Sequence, residues 1–574
     1  MQQPETKQCQ NCKKDFVIEA DDFVFYEKIK VPPPTFCPDC RAQRRLMVRN
    51  ELVLHRKKSA ASGKDIISIF RPESPMKVYE HEAFFSDTWD PLAYGRDYDF
   101  QRPFFVQLQE LMLETPTLAL FDSKSINSSY CNLVVEQKNC YLVSASWTNE
   151  DCMYMNRVDS CKNSMDLYIC GRNNFCYENV YCEDSHRLFY SHTCKDCNDS
   201  YFLFDCRGCQ NCFCSVGLRN KSYYIFNKPY TKEEYQNKIK EFDLGDWSVV
   251  QEMKSKLAKL RLGIPHRYAQ IFKSTNAVGD HIHNVKNAYY CFDFLSGAEN
   301  VKYSLWSSGE FKDSYDTGPG TGGGSELLYE SASIGVHNAR CMFNFVVWYS
   351  NDVQYSINCH GSNNLFGCIS LRNKSYCIFN KQYTKEEYEA LVPKIIQHMT
   401  DMPYVDKKGR IYKYGEFLPT DLCPFPYNDT SAQDYMPLTK EEALDRGYLW
   451  GEPQERNYRI TKEAVDLPLK IFDVSDDIIK ETIGCMHEGN CADGCSTAFR
   501  ITADELKFYR NLNIPLPRLC FICRHRERLK QRNPMKLWHR KCMKPGCLNE
   551  FETSYAPDRP EIVYCEQCYQ QEVV

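Results

Sequence analysis

Residues 36–46 read FCPDCRAQRRL: two cysteines separated by two residues, an arginine directly after them, then more arginine. Such a stretch suits a redox thiol pair, a metal knuckle or a grip on nucleic acid. Its surroundings narrow the choice. Upstream stands Cys9-x2-Cys12, and the second pair, Cys37-x2-Cys40, follows 24 residues later. Four thiolates in two such pairs close a tetrahedral structural zinc site. The N-terminal residues are polar and lack the apolar core of an export signal, so the expected compartment is reducing and cytoplasmic. There, the 32 cysteines of this 574-residue chain serve as metal ligands or small buried residues rather than as disulfides.

The stretch recurs near the C-terminus. CPDCRAQRRLMVRN at 37–50 aligns with CFICRHRERLKQRN at 520–533, and the register holds backwards through Pro32 and Pro34 on Pro515 and Pro517, Tyr26 on Tyr509, and Phe16 on Phe499. Cys12 falls on Cys495. The first ligand slips by one residue, which assigns Cys491, Cys495, Cys520 and Cys523 to the second site, with Cys485 and His487 as competitors for the place of Cys491. A third site follows from Cys542-x4-Cys547 and Cys565-x2-Cys568. The N-terminal copy of this last module has Pro72, Pro75, Val78 and Tyr79 at the positions of Pro557, Pro560, Val563 and Tyr564. Its ligand positions have become Ser59, Glu80 and Ala83. It is expected to keep the fold without metal, packing through Phe84, Phe85 and Trp89. Three structural Zn2+ sites are therefore expected.

The knuckle, the aromatic four residues after it, the proline-bearing return and the Cys-x2-Cys-Arg step resemble zinc ribbons of treble-clef type over about 40 residues in each copy. The resemblance implies a zinc module and no activity.

Between the ends the texture changes. Short aromatic or cysteine-bearing strands recur at 11 to 13 residues: Cys170, Cys182, Cys194 and Cys206 stand 12 apart. A fixed short period with polar turns reads as a β-solenoid. The pattern restarts near 284, and the two blocks end alike, in LRNKSYYIFNKPYTKEEY at 218–235 and LRNKSYCIFNKQYTKEEY at 371–388. The exits carry capping boxes, Thr231 with Glu234 and Thr384 with Glu387. The Cys206, Cys209 and Cys212 series reads as a buried ladder or as metal ligands. GPGTGGGS at 318–325 lacks the ending of a phosphate loop and reads as a turn bulging from the solenoid. His281 and His283 lack an evident third ligand.

The expected fold is mainly β with α segments, a two-block β-solenoid flanked by duplicated zinc-ribbon, treble-clef modules. Its parts are zinc ribbon 1 (1–58), a degenerate ribbon without metal plus connector (59–117), solenoid block 1 (118–230), a helical insert (231–272), solenoid block 2 (273–383), a helix and extended connector (384–484), zinc ribbon 2 (485–534) and zinc ribbon 3 (535–574). Over its full length the chain is similar to an uncharacterised bacterial family that joins such ribbons to a Cys- and Tyr-rich repeat, carried by the TKEEY exits and the SYAPDRPEIVYCEQC ending.

Charge distribution is the functional clue. Segments 41–58 and 524–541 carry +6 and +7; subtracting this +13 from the net −5 leaves −18 elsewhere. Arg41, Arg45 and Arg49, and at duplicate positions Arg524, Arg528 and Arg532, repeat every four residues along one helix face. Such a face suits phosphate contacts, or it is solvated or paired internally. A non-catalytic adaptor for nucleic acid or a ribonucleoprotein follows from the first reading. Alternatives are a protein-interaction scaffold using the solenoid face, and an enzyme with a site on the solenoid. No nucleophile–base arrangement or dinucleotide loop is evident, all the zinc sites have four cysteines and no open position, and no apolar run approaches the length of a membrane span.

Overall fold

The computed structural model describes residues 3–573 apart from 295, 308, 455–457 and 492–493. The chain is mainly β with helices. It forms two compact units: Met1–Phe121, Ala269–Gly451 and Met535–Leu537 in the first; Asp122–Tyr268, Glu452–Pro534 and Trp538–Val574 in the second. The N-terminal cysteine pairs thus share a unit with the second repeat block, and the C-terminal cysteine groups share one with the first block.

In the second unit, short strands pair in parallel, each on a strand twelve residues further on. Asn132 lies on Ser144, Ser144 on Asn156 and Asn156 on Tyr168. The ladder resumes with His186 on Asn198, Asn198 on Gln210 and Gln210 on Ser222. In the first unit the equivalent ladder runs in parallel from Thr275–Asp280 to Ser375–Ile378. Its offsets vary, as in Lys286 on Glu299 and Asn351 on Asn363. Both blocks end in an antiparallel turn before a helix with the expected capping box, Lys232–Lys238 and Lys385–Asp401.

The backbone has a second, finer period. From Lys124 to Phe226 every third residue has positive φ, and all but Gly208 and Gly217 carry a side chain. The left-handed conformation costs a non-glycine residue roughly 1–2 kcal/mol, so the ladder must supply compensating bonds. It does: from the second coil on, the N–H of such residues donates to a carbonyl thirteen residues back, as Asp151 to Lys138 and Tyr154 to Tyr141. The residue before each left-handed one pairs its backbone forward, as Asn132 N–H to Val143 C=O.

The remaining residue of each triplet points inward and explains the composition. Its N–H faces the interior, where a side chain from twelve residues earlier accepts it. Cys161 N–H donates to Asn149 Oδ1 (2.9 Å), Val158 N–H to Ser146 Oγ (3.1 Å) and Cys182 N–H to Cys170 Sγ (3.4 Å). The interior is therefore built of Ser, Asn and Cys among Val and Leu. Cys206, Cys209 and Cys212 belong to this row, buried, with thiols on the carbonyls of Ser215, Leu218 and Lys221.

GPGTGGGS does not bulge. Gly320, Gly322 and Gly324 donate to Trp306, Ile334 and Glu310, inside the ladder. Gly320 has φ +86, and a Cβ there would lie 2.9 Å from the Arg49 guanidinium, so the glycine makes room for a buried cation.

Candidate metal centres and the helices behind them

Four helices frame two of the centres: α1 (Ala20–Lys28), α2 (Pro38–Met47), α3 (Ala503–Asn511) and α4 (Phe521–Leu529). In the first centre the hairpin of Glu5–Gln8 and Asp15–Ile18 presents Cys9 and Cys12. Cys37 caps α2, and Cys40 lies in its first turn. In the third centre the hairpin of Trp538–Lys541 and Glu550–Thr553 presents Cys542 and Cys547 to Cys565 and Cys568. Each quartet has its sulfurs within 4.8 Å of one another.

The second centre differs from the spacing-based assignment. Its quartet is Cys485, Cys495, Cys520 and Cys523, and Cys491 is not in it. The reason is local geometry. The first ligand must follow the first strand of a hairpin, and here that strand is Ile483–Gly484, paired with Ala498–Phe499. Cys485 N–H donates to Thr497 C=O as Cys9 N–H donates to Lys14 C=O. The insertion between the strands moves the ligand ten positions from Cys495, which residue-by-residue alignment cannot follow. Cys491 stands instead beside Cys523, at 3.8 Å, and groups with it and His487.

One hydrogen bond recurs in all three centres: the N–H of the first cysteine of the second pair donates to the sulfur of the first ligand. Cys37 to Cys9, Cys520 to Cys485 and Cys565 to Cys542 are each 3.3 Å. Sulfurs at about 2.3 Å from a tetrahedral zinc ion are separated by about 3.8 Å. The pairs Cys12–Cys37, Cys495–Cys520 and Cys547–Cys565 lie 3.7, 3.9 and 3.9 Å apart. Hydrogen bonds from neighbouring thiols hold Cys9 and Cys520 far below the ordinary thiol range. For Cys565, burial pushes up, but the Asn549 amide and the Cys568 N–H bring the thiol down to about 7. The donor set thus fits a thiophilic divalent ion in all three places. In the degenerate module, Ser59 Oγ donates to Glu80 where its counterpart has Cys542 and Cys565. Trp89 Nε1 closes on Phe84 C=O at 2.9 Å, with Phe84 buried and Phe85 exposed.

The arginine faces are not turned to solvent. Arg41, Arg45, Arg49, Arg524 and Arg528 are buried and Arg532 is half-buried. Asp316 binds Arg41 (2.8 Å) and Arg45 (3.0 Å); Arg44 lies between Glu330 (3.1 Å) and Glu416 (3.0 Å); Arg49 meets Glu51 (2.6 Å). In the second unit Asp166 binds Arg524 and Arg528, both at 2.9 Å, and Arg532 reaches the Tyr168 hydroxyl at 3.1 Å. The duplication extends to detail. Arg41 donates to Phe36 C=O and lies over Tyr303, whose hydroxyl donates to Asp22. Arg524 donates to Leu519 C=O and lies over Tyr154, whose hydroxyl donates to Glu505. Tyr26 of α1 packs on Tyr329, and Tyr509 of α3 on Tyr177.

The expectation of a phosphate-contacting face is therefore corrected. The face formed by every fourth residue is the one that packs against the ladder, where carboxylates wait for it. Asp166 and Asp316 both occupy left-handed positions of their ladders. Sequence reasoning missed them, along with Glu330 and Glu416, because an aspartate in a repeat turn looks like any other. The only signal available was the large negative remainder of the charge.

Among the described residues no helix is long and apolar enough to cross a membrane, and the groups able to hold a metal lie toward the two ends of the chain, not at Cys206, Cys209 and Cys212. No protein-family model matches the chain, and no curated protein matches it. A solved structure described as "putative acetyltransferase from Desulfovibrio desulfuricans G20" is 11% identical, covering 51% of this chain and 74% of that one at a TM-score of 0.10. A likeness that slight carries no argument about fold or activity.

Proposed function

We propose that this chain is a non-catalytic, zinc-stapled scaffold that binds a protein partner through β-solenoid blocks. The carrying observation is the duplicated grip of two helix arginines on one buried aspartate, Arg41 and Arg45 on Asp316, Arg524 and Arg528 on Asp166. On this reading zinc in each four-cysteine centre orients a short helix, and the helix clamps a ladder of coils. The parallel pairing of successive strands, at a twelve-residue offset in the first block, supports the solenoid. Repeat ladders offer long rigid faces, which suits a scaffold. The 32 free thiols suit a reducing, cytoplasmic compartment.

Nucleic acid or a ribonucleoprotein as partner is the weaker reading, because five of the six guanidiniums that suggested it sit on carboxylates and the sixth, of Arg532, on the Tyr168 hydroxyl. An enzyme on the solenoid face has no observation in its favour. Two measurements on the full chain test the proposal. Metal analysis should find zinc, at about three equivalents or more, one for each four-cysteine centre. Binding to single- and double-stranded nucleic acid should be weak at every salt concentration. Tight binding with the steep salt dependence of phosphate contacts would overturn the scaffold reading in favour of the nucleic-acid one.

A further inference from the structure

The second centre holds more donors than a structural zinc site uses. Besides the quartet Cys485, Cys495, Cys520 and Cys523, the group His487, Cys491 and Cys523 brings one ligand atom from each residue within 4.8 Å of the others. The two sets share Cys523, whose sulfur is 3.8 Å from that of Cys491. His487 Nδ1 is buried and has no hydrogen-bond partner. Neither of the other two centres has an adjoining group of this kind among the described residues. His487 and Met486 line part of a cavity of about 720 Å³, whose other walls include Arg518 and the ion pairs Lys254–Glu178 and Lys530–Glu527.

We propose that His487, Cys491 and Cys523 form a second metal site, which takes an additional zinc ion with Cys523 as the bridging thiolate. The inference rests on the reading of the quartet as a zinc centre. A zinc ion bound by four thiolates carries a net charge of −2. When a further divalent ion binds, Cys491 loses its proton to solvent, one more thiolate is added, and the charge of the pair becomes −1. Thiolate sulfur keeps lone pairs after binding one ion and can bind a second. An imidazole nitrogen beside two thiols is a donor set that zinc takes. Three protein donors leave one coordination position. Closed structural sites lack this feature, whereas sites that exchange water or bind an anion have it. Because His487 forms part of the cavity wall, a water from that cavity would take the fourth position.

The test is a zinc titration of the metal-free full chain against a chromophoric chelator, with metal content confirmed by native mass spectrometry. The wild-type chain is expected to bind about four equivalents, the last more weakly and released first by chelator. His487→Ala and Cys491→Ser are each expected to lower the count by about one, with the melting temperature of the loaded protein unchanged. A wild-type count of about three, or a count that neither substitution lowers, overturns the second site and leaves the scaffold reading standing. A count below three removes the zinc reading of the quartets and this inference with it.

Discussion

Arg41 and Asp316 meet at 2.8 Å with both side chains at most 1% exposed, and the same carboxylate also holds Arg45 at 3.0 Å. Asp166 is its counterpart, holding Arg524 and Arg528. Burying a cation requires a partner, and here one anion serves two cations. Removing Asp316 takes the carboxylate from Arg41 and leaves Arg45 only the more distant Glu330, at 3.6 Å. Asp316→Ala and Asp166→Ala should each destabilise their unit by about 3–5 kcal/mol, the usual cost of leaving buried charge unpaired. Urea denaturation measures it. Losses under about 1 kcal/mol would mean that these guanidiniums reach water in solution.

Cys485 and Cys491 separate the local-geometry account of the second centre from the spacing account. Cys485→Ser should remove a ligand of the four-cysteine set and lower the melting temperature sharply, because binding a structural zinc ion contributes directly to folding. Cys491→Ser should leave the melting temperature close to wild type. The reverse order of sensitivity would restore Cys491 as the structural ligand.

Asp429 is buried beside the Arg71 guanidinium, with Nε at 2.6 Å, and the His55 ring, at 3.0 Å. Burial pushes its carboxyl up, but these two partners outweigh that and hold it below the ordinary carboxylate range. A depressed carboxyl contributes stability above its unfolded pKa, near 3.9, and loses it as pH falls through the folded value. Wild-type stability should therefore decline as pH falls below about 4. Asp429→Asn should be less stable at pH 7 and show a shallower decline. Parallel pH profiles for the two proteins would show that Asp429 does not titrate as described.

The inward-facing ladder cysteines should be chemically silent. Burial pushes the thiols of Cys131, Cys170, Cys176, Cys341 and Cys359 up to about 12. At pH 7.5 almost no thiolate is present, and the sulfur is enclosed. Iodoacetamide followed by peptide mass mapping should leave all five unmodified in the native chain and modify them in denaturant. Labelling of any of them under native conditions at the rate of a free thiol would place it outside the interior.

Gly320→Ala combines a left-handed φ with a Cβ only 2.9 Å from Arg49 Nη1. It should cost about 1–3 kcal/mol. Gly63→Ala also has positive φ but has no atom within 4 Å of its Cβ, so it should cost less. Comparing the two by thermal melting separates the cost of the left-handed φ from that of crowding Arg49 and Trp306; equal losses would mean that the two side chains give way freely.

The four-cysteine groups were legible because their signals are local. A hairpin knuckle and a helix-capping cysteine place their thiols by spacing alone, so the first and third quartets follow from Cys9, Cys12, Cys37 and Cys40 and from Cys542, Cys547, Cys565 and Cys568. The replacement of ligands by Ser59 and Glu80 was equally plain, as was the twelve-residue period of the cysteines. Where a loop lengthened between paired strands, spacing failed, and Cys485 took the place assigned to Cys491. The left-handed residue at every third position was hidden, because tyrosine, leucine and isoleucine do not advertise that conformation; the hydrogen bonds that offset it come from the neighbouring coils. The arginine face was visible in sequence but its destination was not. Whether a cation meets water, phosphate or carboxylate depends on what packs against it. Arg45 and its Asp316 are 271 residues apart, and only the tertiary fold brings the N-terminal ribbon to the second repeat block and the C-terminal ribbons to the first.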